Sequence, residues 1–307
     1  MHVNHLLLKK EEVNPLPIRK LVPYLYLAPC IVMMGLFVYY PIVENFRFSF
    51  YDFSAFSPDK AFVGFTNFIN LFHDPVFYTA LKNNVWYAVI SIICQVFGGL
   101  ILAAILEDPI TRFISSFFRT VFFLPVVISV TVIALLFTFV YEPNMGILNS
   151  FLHGLGLDSW AREWLGDSET AIFAVIAVSQ WQSIGYIMML FIVAIQAIPR
   201  EIYEAAEMDG AGKIRRFISV TVPQVKEMFF VASLITLTGA FTVFNEPYIL
   251  TGGGPGNASE VLGTLLYSSA FAKDQMGYAS AIATVILILT LLLSLVQKKL
   301  FRTGKDD

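Results

Sequence analysis

Six windows of this chain, 21–43, 83–106, 120–141, 170–199, 228–245 and 275–297, contain no Asp, Glu, Lys or Arg at all. About 20 apolar residues cross the hydrocarbon core of a bilayer as a helix, so each window is long enough, or nearly so, to be a span. The fifth is the shortest and is expected to extend past Glu246 to about residue 250. Hydrocarbon offers no partner to backbone N–H and C=O groups, so each such window is expected to cross as a helix. The expected fold is therefore all-α integral membrane, with six transmembrane helices. Pro23, Pro29, Pro41, Pro125 and Pro247 lie in or near the windows, which membrane helices tolerate better than soluble ones.

Composition agrees. Of 307 residues, 57% are hydrophobic and only 14% charged, with 29 Phe, whereas a soluble domain sits nearer half apolar and a quarter charged. A net charge of −3 gives no reason to expect nucleic acid or an acidic ligand. Cys30 and Cys94 lie inside apolar runs without C-x-x-C spacing and read as small buried hydrophobes, not as a disulfide or metal site. The first 20 residues are polar, and the apolar run behind them is too long for a signal-peptide core and lacks an A-x-A exit. It is read as an uncleaved first span after a tail at 1–20, with a second tail at 301–307.

Orientation follows from the positive charges. With six spans, one side collects Lys9, Lys10, Arg19, Lys20, Arg112, Arg119, Arg200, Lys213, Arg215, Arg216, Lys226, Lys298, Lys299, Arg302 and Lys305. The other keeps only Arg47, Lys60, Lys82, Arg162 and Lys273. Both termini and the segment at 200–227 are thus expected in the cytoplasm. Of the outer loops, 44–81 is rich in aromatics and is expected to form short amphipathic helices against the membrane face. The loop at 142–169 carries Trp160 and Trp164 as expected interfacial anchors. The run Thr251-Gly252-Gly253-Gly254-Pro255-Gly256 is too flexible for helix.

Catalytic motifs are missing. His2, His5, His73 and His153 sit away from carboxylate pairs, and there is no H-E-x-x-H or G-x-S-x-G. Asp209-Gly210-Ala211-Gly212-Lys213 resembles a phosphate loop at a glance, but Glu207 and Ile214 stand where the Walker pattern needs Gly and Ser or Thr. The chain is not read as an enzyme, and no metal or cofactor is assigned to it.

The longest polar segment between two windows in the second half of the chain is 204–223. It begins like a helix, turns at Asp209-Gly210, carries a basic cluster and is expected to be closed by Pro223. Ala205, Ala206 and Ala211 permit close approach of another surface, and Gly210 allows a sharp bend between two short helices. An ordinary basic loop would explain the charges but not these small residues. The pattern resembles the E-A-A---G loop of ABC importer membrane subunits, through Glu204, Ala205, Ala206, Asp209, Gly210, Ala211, Phe217 and Pro223, with Met208 among them. In that family the loop forms a coupling helix that docks in a groove on the ATP-binding subunit.

The resemblance continues along roughly residues 21–300. Leu27-Ala28-Pro29, Tyr40-Pro41-Ile42, Phe62-Val63-Gly64-Phe65-Thr66-Asn67-Phe68 and Phe118-Arg119-Thr120-Val121-Phe122-Phe123-Leu124-Pro125 look like the carbohydrate-uptake branch, as does Asn144-Met145-Gly146-Ile147-Leu148-Asn149. The stretch Phe244-Asn245-Glu246-Pro247-Tyr248-Ile249-Leu250-Thr251-Gly252-Gly253-Gly254-Pro255 is similar to the MalF- and UgpA-like half of sugar permease pairs. Two positions depart: Val220-Thr221-Val222-Pro223 replaces the usual I-x-L-P, and Glu227 stands where a proline is common. The resemblance implies a multi-pass permease of a prokaryotic inner or plasma membrane, paired with a second homologous permease. Two ABC ATPase subunits would carry the ATP and Mg, and an extracytoplasmic solute-binding protein would deliver a sugar or sugar-like solute.

A sugar path needs polar and aromatic groups facing the bundle interior, since such groups are costly against lipid. Candidates are Gln180, Trp181, Gln182, Ser183 and Tyr186 in the fourth span, with Asn245, Glu246 and Tyr248 in the fifth. Gln182 and Tyr186 share a helix face, and Trp181 could stack on a sugar ring. Interhelical hydrogen bonding explains the same residues equally well; Gln95 and Gln196 are read as packing. Glu246 stands roughly 27 Å into its span at 1.5 Å per residue, near the outer interface. The competing class, a self-contained secondary transporter or channel, needs an ionisable residue deep in a span, and the span cores lack one.

Overall fold

The computed structural model describes residues 17–57 and 59–302. His2, His5, the tails before residue 17 and after residue 302, and Pro58 lie outside the described residues. The chain forms two units, one ending at Arg47 and one beginning at Phe48. In the first, α1 (Pro17–Met34), a π-helical turn (Gly35–Tyr39) and α2 (Tyr40–Phe48) follow without a break. Tyr24–Phe48 is long and apolar enough to cross a membrane. The helix starts four residues before the charge-free window, at Pro17, because a proline's fixed φ and missing N–H suit the first helical position.

The second unit begins with a hairpin, β1 (Tyr51–Asp52) antiparallel to β2 (Ala61–Phe62). Then come α3 (Thr66–His73), α4 (Pro75–Ser91), a π turn (Ile92–Phe97) and α5 (Gly98–Glu107). The bent pair α6 (Arg112–Val127) and α7 (Val130–Val140), α8 (Ile147–Gly154) and α9 (Ala171–Gln196) follow. After α10 (Arg200–Met208), α11 (Lys213–Arg216) leads through a π turn (Phe217–Thr221) into α12 (Val222–Gln224) and α13 (Lys226–Phe241). The chain ends with α14 (Asn245–Leu250), α15 (Leu262–Tyr267), a π turn (Ser268–Ala272) and α16 (Met276–Arg302).

Among the described residues, 5 helices are long and apolar enough to cross a membrane, and 6 spans result if the bent pair counts as one. That pair covers the window 120–141 but begins eight residues before it, at Arg112, with Arg119 inside the helix, and α6 and α7 meet at 100°. Hydropathy carries no information about direction, so the bend is invisible in an evenly apolar window. The loop at 44–81 also differs from expectation: α3 is helical, but Tyr51 and Phe62 pair as strands with rings 5.4 Å apart. Asn67 holds this hairpin by donating to the Ser49 and Tyr51 carbonyls, both at 2.9 Å. Cys30 is exposed and Cys94 half-buried, contrary to their reading as buried: the first apolar span, Tyr24–Phe48, has no buried window, and Cys94 sits at the edge of the buried pair Gln95 and Val96. Trp164 donates to Asn149 at 2.7 Å and is a packing residue, whereas Trp160 is exposed.

Helix α9 is the most buried of the span-length helices and forms the centre of this unit. Two apolar clusters lie along it. One joins Phe77, Tyr87, Ile133, Val175, Leu262 and Ile282, and the other joins Leu100, Met188, Phe191, Ile195 and Val225. Close approach is made possible by Gly185, where an added Cβ would stand 1.9 Å from the Phe122 carbonyl oxygen. The second cluster borders the end of the unit where Arg119 and Gln196 donate to Glu107 and Lys213 donates to Asp108. Most of the second unit's described lysines and arginines belong to segments at this basic end. At the opposite end, Tyr278 bonds Asp74 at 2.8 Å and Asn83 bonds the Ala258 and Glu260 carbonyls, both at 2.8 Å. The glycine run 251–256 is non-helical as expected, with Gly252, Gly253 and Gly256 at positive φ.

Candidate functional site

Helix α10 ends in the manner its sequence announces. Gly210 has φ +76°, its N–H donates to the Glu207 carbonyl at 2.9 Å, and the Ala211 N–H donates to the Ala206 carbonyl at 2.9 Å. These two bonds define a Schellman cap, and a left-handed residue at that position is best served by glycine. Thus Asp209-Gly210 turns the chain sharply, and Lys213 restarts it as helix.

No residue of α10 or α11 is buried. Ile202, Tyr203 and Ala206 turn partly inward, while Glu201, Glu204, Ala205 and Met208 are exposed. The exposed four are spaced i, i+3, i+4 and i+7 and so form one stripe along the helix. Met208 is 88% exposed and Ile214, beyond the turn, 77%. Large apolar side chains this bare at a polar, charged end are what an unpartnered docking surface presents. Asp209 and Gly210 are exposed beside the stripe, whereas Ala211 is half-buried and Phe217 packs on the basic-end core cluster. The expected group therefore divides: Glu204, Ala205 and Met208 share a face, and Ala206 and Phe217 hold that face in place.

Pro223 stands one residue before the segment's close: α12 ends at Gln224, and α13 begins at Lys226 after the break at Val225. The chain passes through Pro223 from the π turn into α12. The Val222 N–H bonds the Phe217 carbonyl, five residues back, and Pro223 follows at once. In α1–α2 the arrangement repeats: the Tyr40 N–H bonds the Gly35 carbonyl and Pro41 follows. A proline lacks the donor an α-turn needs and its ring crowds the carbonyl four residues back. The wider π turn relieves that clash, so α2 runs on past Pro41 to Phe48, whereas α12 stops at Gln224, directly after Pro223.

A cleft of about 630 Å³ separates α10 from the α5–α6 turn, lined by Glu107, Asp108, Arg200, Glu204, Lys213 and Arg216 among others. Lys213 Nζ stands 2.8 Å from Asp108 Oδ2, and Arg216 pairs with Glu207. Tyr203 and Thr221 share a hydroxyl hydrogen bond of 2.9 Å. The Lys213 hydrogen bond, foremost, holds the Asp108 carboxyl below its ordinary range. Nothing in the sequence had singled out Glu107 and Asp108 except as the end of a charge-free window.

The polar residues of the fourth and fifth spans do not form one constellation. Gln180 accepts from Gln95 at 2.9 Å and donates to Ser91 and to the Ile176 carbonyl, a closed interhelical network. Gln182 is buried and donates at 3.3 Å to the carbonyl of Ile128, at the elbow between α6 and α7. Tyr186, on the next turn, is exposed, and Trp181 is exposed with its ring 5.4 Å from Phe137. Ser183 is half-buried. In the fifth span, residues 242–244 break the helix. Beyond the break Asn245 is exposed, Glu246 half-buried, and Tyr248 stacks on Phe244 at 5.0 Å and meets Tyr267 at 4.9 Å. Among the described residues no group of three His, Cys, Asp or Glu could hold a metal ion.

A helical membrane protein with a capped, unpacked helix standing out from one end is the class these features define. Residues 95–303 match the family described as binding-protein-dependent transport system inner membrane component, and the chain belongs to it. A probable ABC transporter permease protein, YurN of Bacillus subtilis (strain 168), is 67% identical over 288 residues, covering 94% of this chain and 98% of the relative. The arabinooligosaccharides transport system permease protein AraP of the same organism is 32% identical over 94% of this chain and 91% of its own length. The diacetylchitobiose uptake system permease protein NgcF of Streptomyces coelicolor is 34% identical over 87% and 78%. Among solved structures, a bacterial ABC transporter involved in the import of the acidic polysaccharide alginate superposes with a TM-score of 0.82, covering 94% of this chain and 98% of that one. At 23% identity that likeness is one of fold.

Proposed function

We propose that the chain is a permease subunit of an ATP-driven sugar importer, coupled to its ATPases through 204–223. The observation that carries this reading is the exposed stripe Glu201, Glu204, Ala205 and Met208 on a helix that buries nothing of its own yet is rigidly capped. A lever must be stiff, accessible and anchored at its base, and α10 is all three. In this reading the basic end is cytoplasmic, two ATPase subunits each receive one such helix, and the second helix comes from a homologous permease. ATP and Mg reside on the ATPases, and an extracytoplasmic binding protein delivers the solute. Relatives named for arabinooligosaccharides and diacetylchitobiose support a sugar or oligosaccharide cargo.

Closure of the ATPases would move α10, and the spans, packed on α9, would convert the motion into inward or outward opening. The test is uptake of labelled solute by membrane vesicles carrying Glu204→Lys or Gly210→Pro. Reversing the charge spoils the exposed stripe. Proline cannot take a φ of +76° and removes the capping N–H. Uptake is expected to fall to background with the subunit still in the membrane, and normal uptake in either variant would remove the assignment. The break at 242–244 beside Glu246 is a feature a self-contained secondary transporter would share, but membership of a binding-protein-dependent family favours the ATP-driven reading. The cargo is best approached through the partner binding protein, by thermal-shift screening against a sugar panel.

A further inference from the structure

Glu107 and Asp108 stand side by side at the turn between α5 and α6, and between them they touch four elements. Glu107 Oε1 accepts from Arg119 Nη2 at 2.5 Å and from Gln196 Nε2 at 3.1 Å. The ends of α5 and α9 and the middle of α6 therefore meet at one carboxylate oxygen. Asp108 takes Lys213 at 2.8 Å through Oδ2 and 3.0 Å through Oδ1, and Oδ1 also receives the Ile110 N–H at 2.9 Å. Thr111 stiffens the same turn by donating to the Ile105 carbonyl at 2.5 Å and the Asp108 carbonyl at 2.9 Å.

The other side of the Lys213 contact is the segment just after the Schellman cap. No residue of α10 or α11 is buried, so the segment meets the core only at its rim. It is held by its covalent ends, by the half-buried Ile202, Tyr203 and Phe217, by the Tyr203–Thr221 bond, and by Lys213 on Asp108, 105 residues away in sequence. The Lys213 side chain is more than half exposed. Pairs of that kind contribute little to folding stability, so the contact's consequence is geometric. The depressed Asp108 carboxyl agrees with a contact formed at neutral pH.

We propose that the Glu107–Asp108 turn is a positioning clasp, the second point at which movement of the coupling segment enters the membrane helices. Displacement of α10 pulls Lys213, Lys213 pulls Asp108, and Glu107 passes the load to α6 through Arg119 and to α9 through Gln196. From α6 the load arrives at the 100° elbow, which Gln182 of α9 holds by the Ile128 carbonyl. The clasp thus links a docking helix at one end to the bend in the middle of the bundle. This inference rests on the coupling role proposed for 204–223.

The experiment uses the complete transporter, with its partner subunits and binding protein, in proteoliposomes. It reads uptake, ATP hydrolysis and ATPase co-purification together. Asp108→Lys is expected to retain membrane abundance and ATPase co-purification while solute moved per ATP falls about tenfold. Lys213→Asp should lower the same ratio, and the double exchange Asp108→Lys with Lys213→Asp should bring it back to within about twofold. Asp108→Asn, which keeps the side chain's shape, should show a smaller loss, and Asp108→Glu should retain the wild-type ratio. An unchanged ratio in Asp108→Asn and Asp108→Lys, or a double exchange no better than the singles, overturns the clasp. Glu204→Lys run alongside separates the two failures. If it abolishes uptake while Asp108→Lys does nothing, the clasp alone is wrong, and if it does nothing, the coupling assignment itself falls.

Discussion

Gly185 has no room for a methyl group: its Cβ would stand 1.9 Å from the Phe122 oxygen, a backbone atom that cannot swing aside. Gly185→Ala must push α6 off α9, and overpacking of this kind costs about 1–3 kcal/mol. Thermal unfolding in detergent should show a lower midpoint, and an unchanged one would mean the helices can separate freely. Glu260 is a second residue-scale case, 6% exposed, with no hydrogen-bond partner on Oε1 among the described residues. Burial pushes its carboxyl above the ordinary range. The folded state then holds the proton more tightly than the unfolded chain, so stability is full below the ordinary value and falls as pH rises through the raised one. Glu260→Gln removes the charge and the slope, and should raise the melting midpoint at about pH 8 but not at about pH 5. A gain independent of pH would refute the account. The residue-scale signals legible in the sequence were those of local geometry, such as Asp209-Gly210. Glu260 gave none, since only its neighbours make it costly.

At the scale of elements, two prolines illustrate how far reading a chain goes. Pro41 and Pro223 each follow a π turn, yet α2 runs on to Phe48 while α12 stops at Gln224. Whether a turn widens depends on the packing of the whole element, which a propensity cannot report. The elbow after Val127 is similar. Pro125 hints at a disturbance, but the 100° bend is fixed by what receives it, including the Gln182 amide on Ile128. Gln182→Leu should leave that carbonyl without its partner at a cost of about 1–3 kcal/mol. Loss of transport in this variant with ATPase co-purification retained would place the elbow on the solute's route. Wild-type transport and stability together would reduce the contact to incidental packing. Trp181→Ala, which removes an exposed ring, should alter transport or solute preference without loss of stability, and unchanged transport would make the ring packing alone.

For the whole molecule, the charge count along the sequence and the three-dimensional arrangement meet at the basic end. Segments up to 105 residues apart, around Glu107, Asp108, Arg119, Gln196 and Lys213, are tied together there by hydrogen bonds. The proposed coupling role predicts that an assembly with one homologous permease and a pair of ATPases is recovered when this chain is purified under mild conditions, and native mass measurement checks it. Recovery of this chain alone, active in uptake, would contradict the proposal.

What the sequence determined by itself is everything set by local rules. The apolar windows, the helical class, the sidedness of charge, the capped end of α10 and the non-helical glycine run all follow from solvation and from backbone conformations a few residues long. Tertiary structure decided which of the polar residues act together. The segment at 204–223 was visible because its composition is odd, but its division into an exposed stripe and an inward anchor depends on the neighbours it rests against. Glu107 and Asp108 looked like the edge of a span, and only folding brings Lys213 onto them from 105 residues away. Contact at that separation is a property of the packed bundle, because no local pattern of residues encodes the path by which the chain returns.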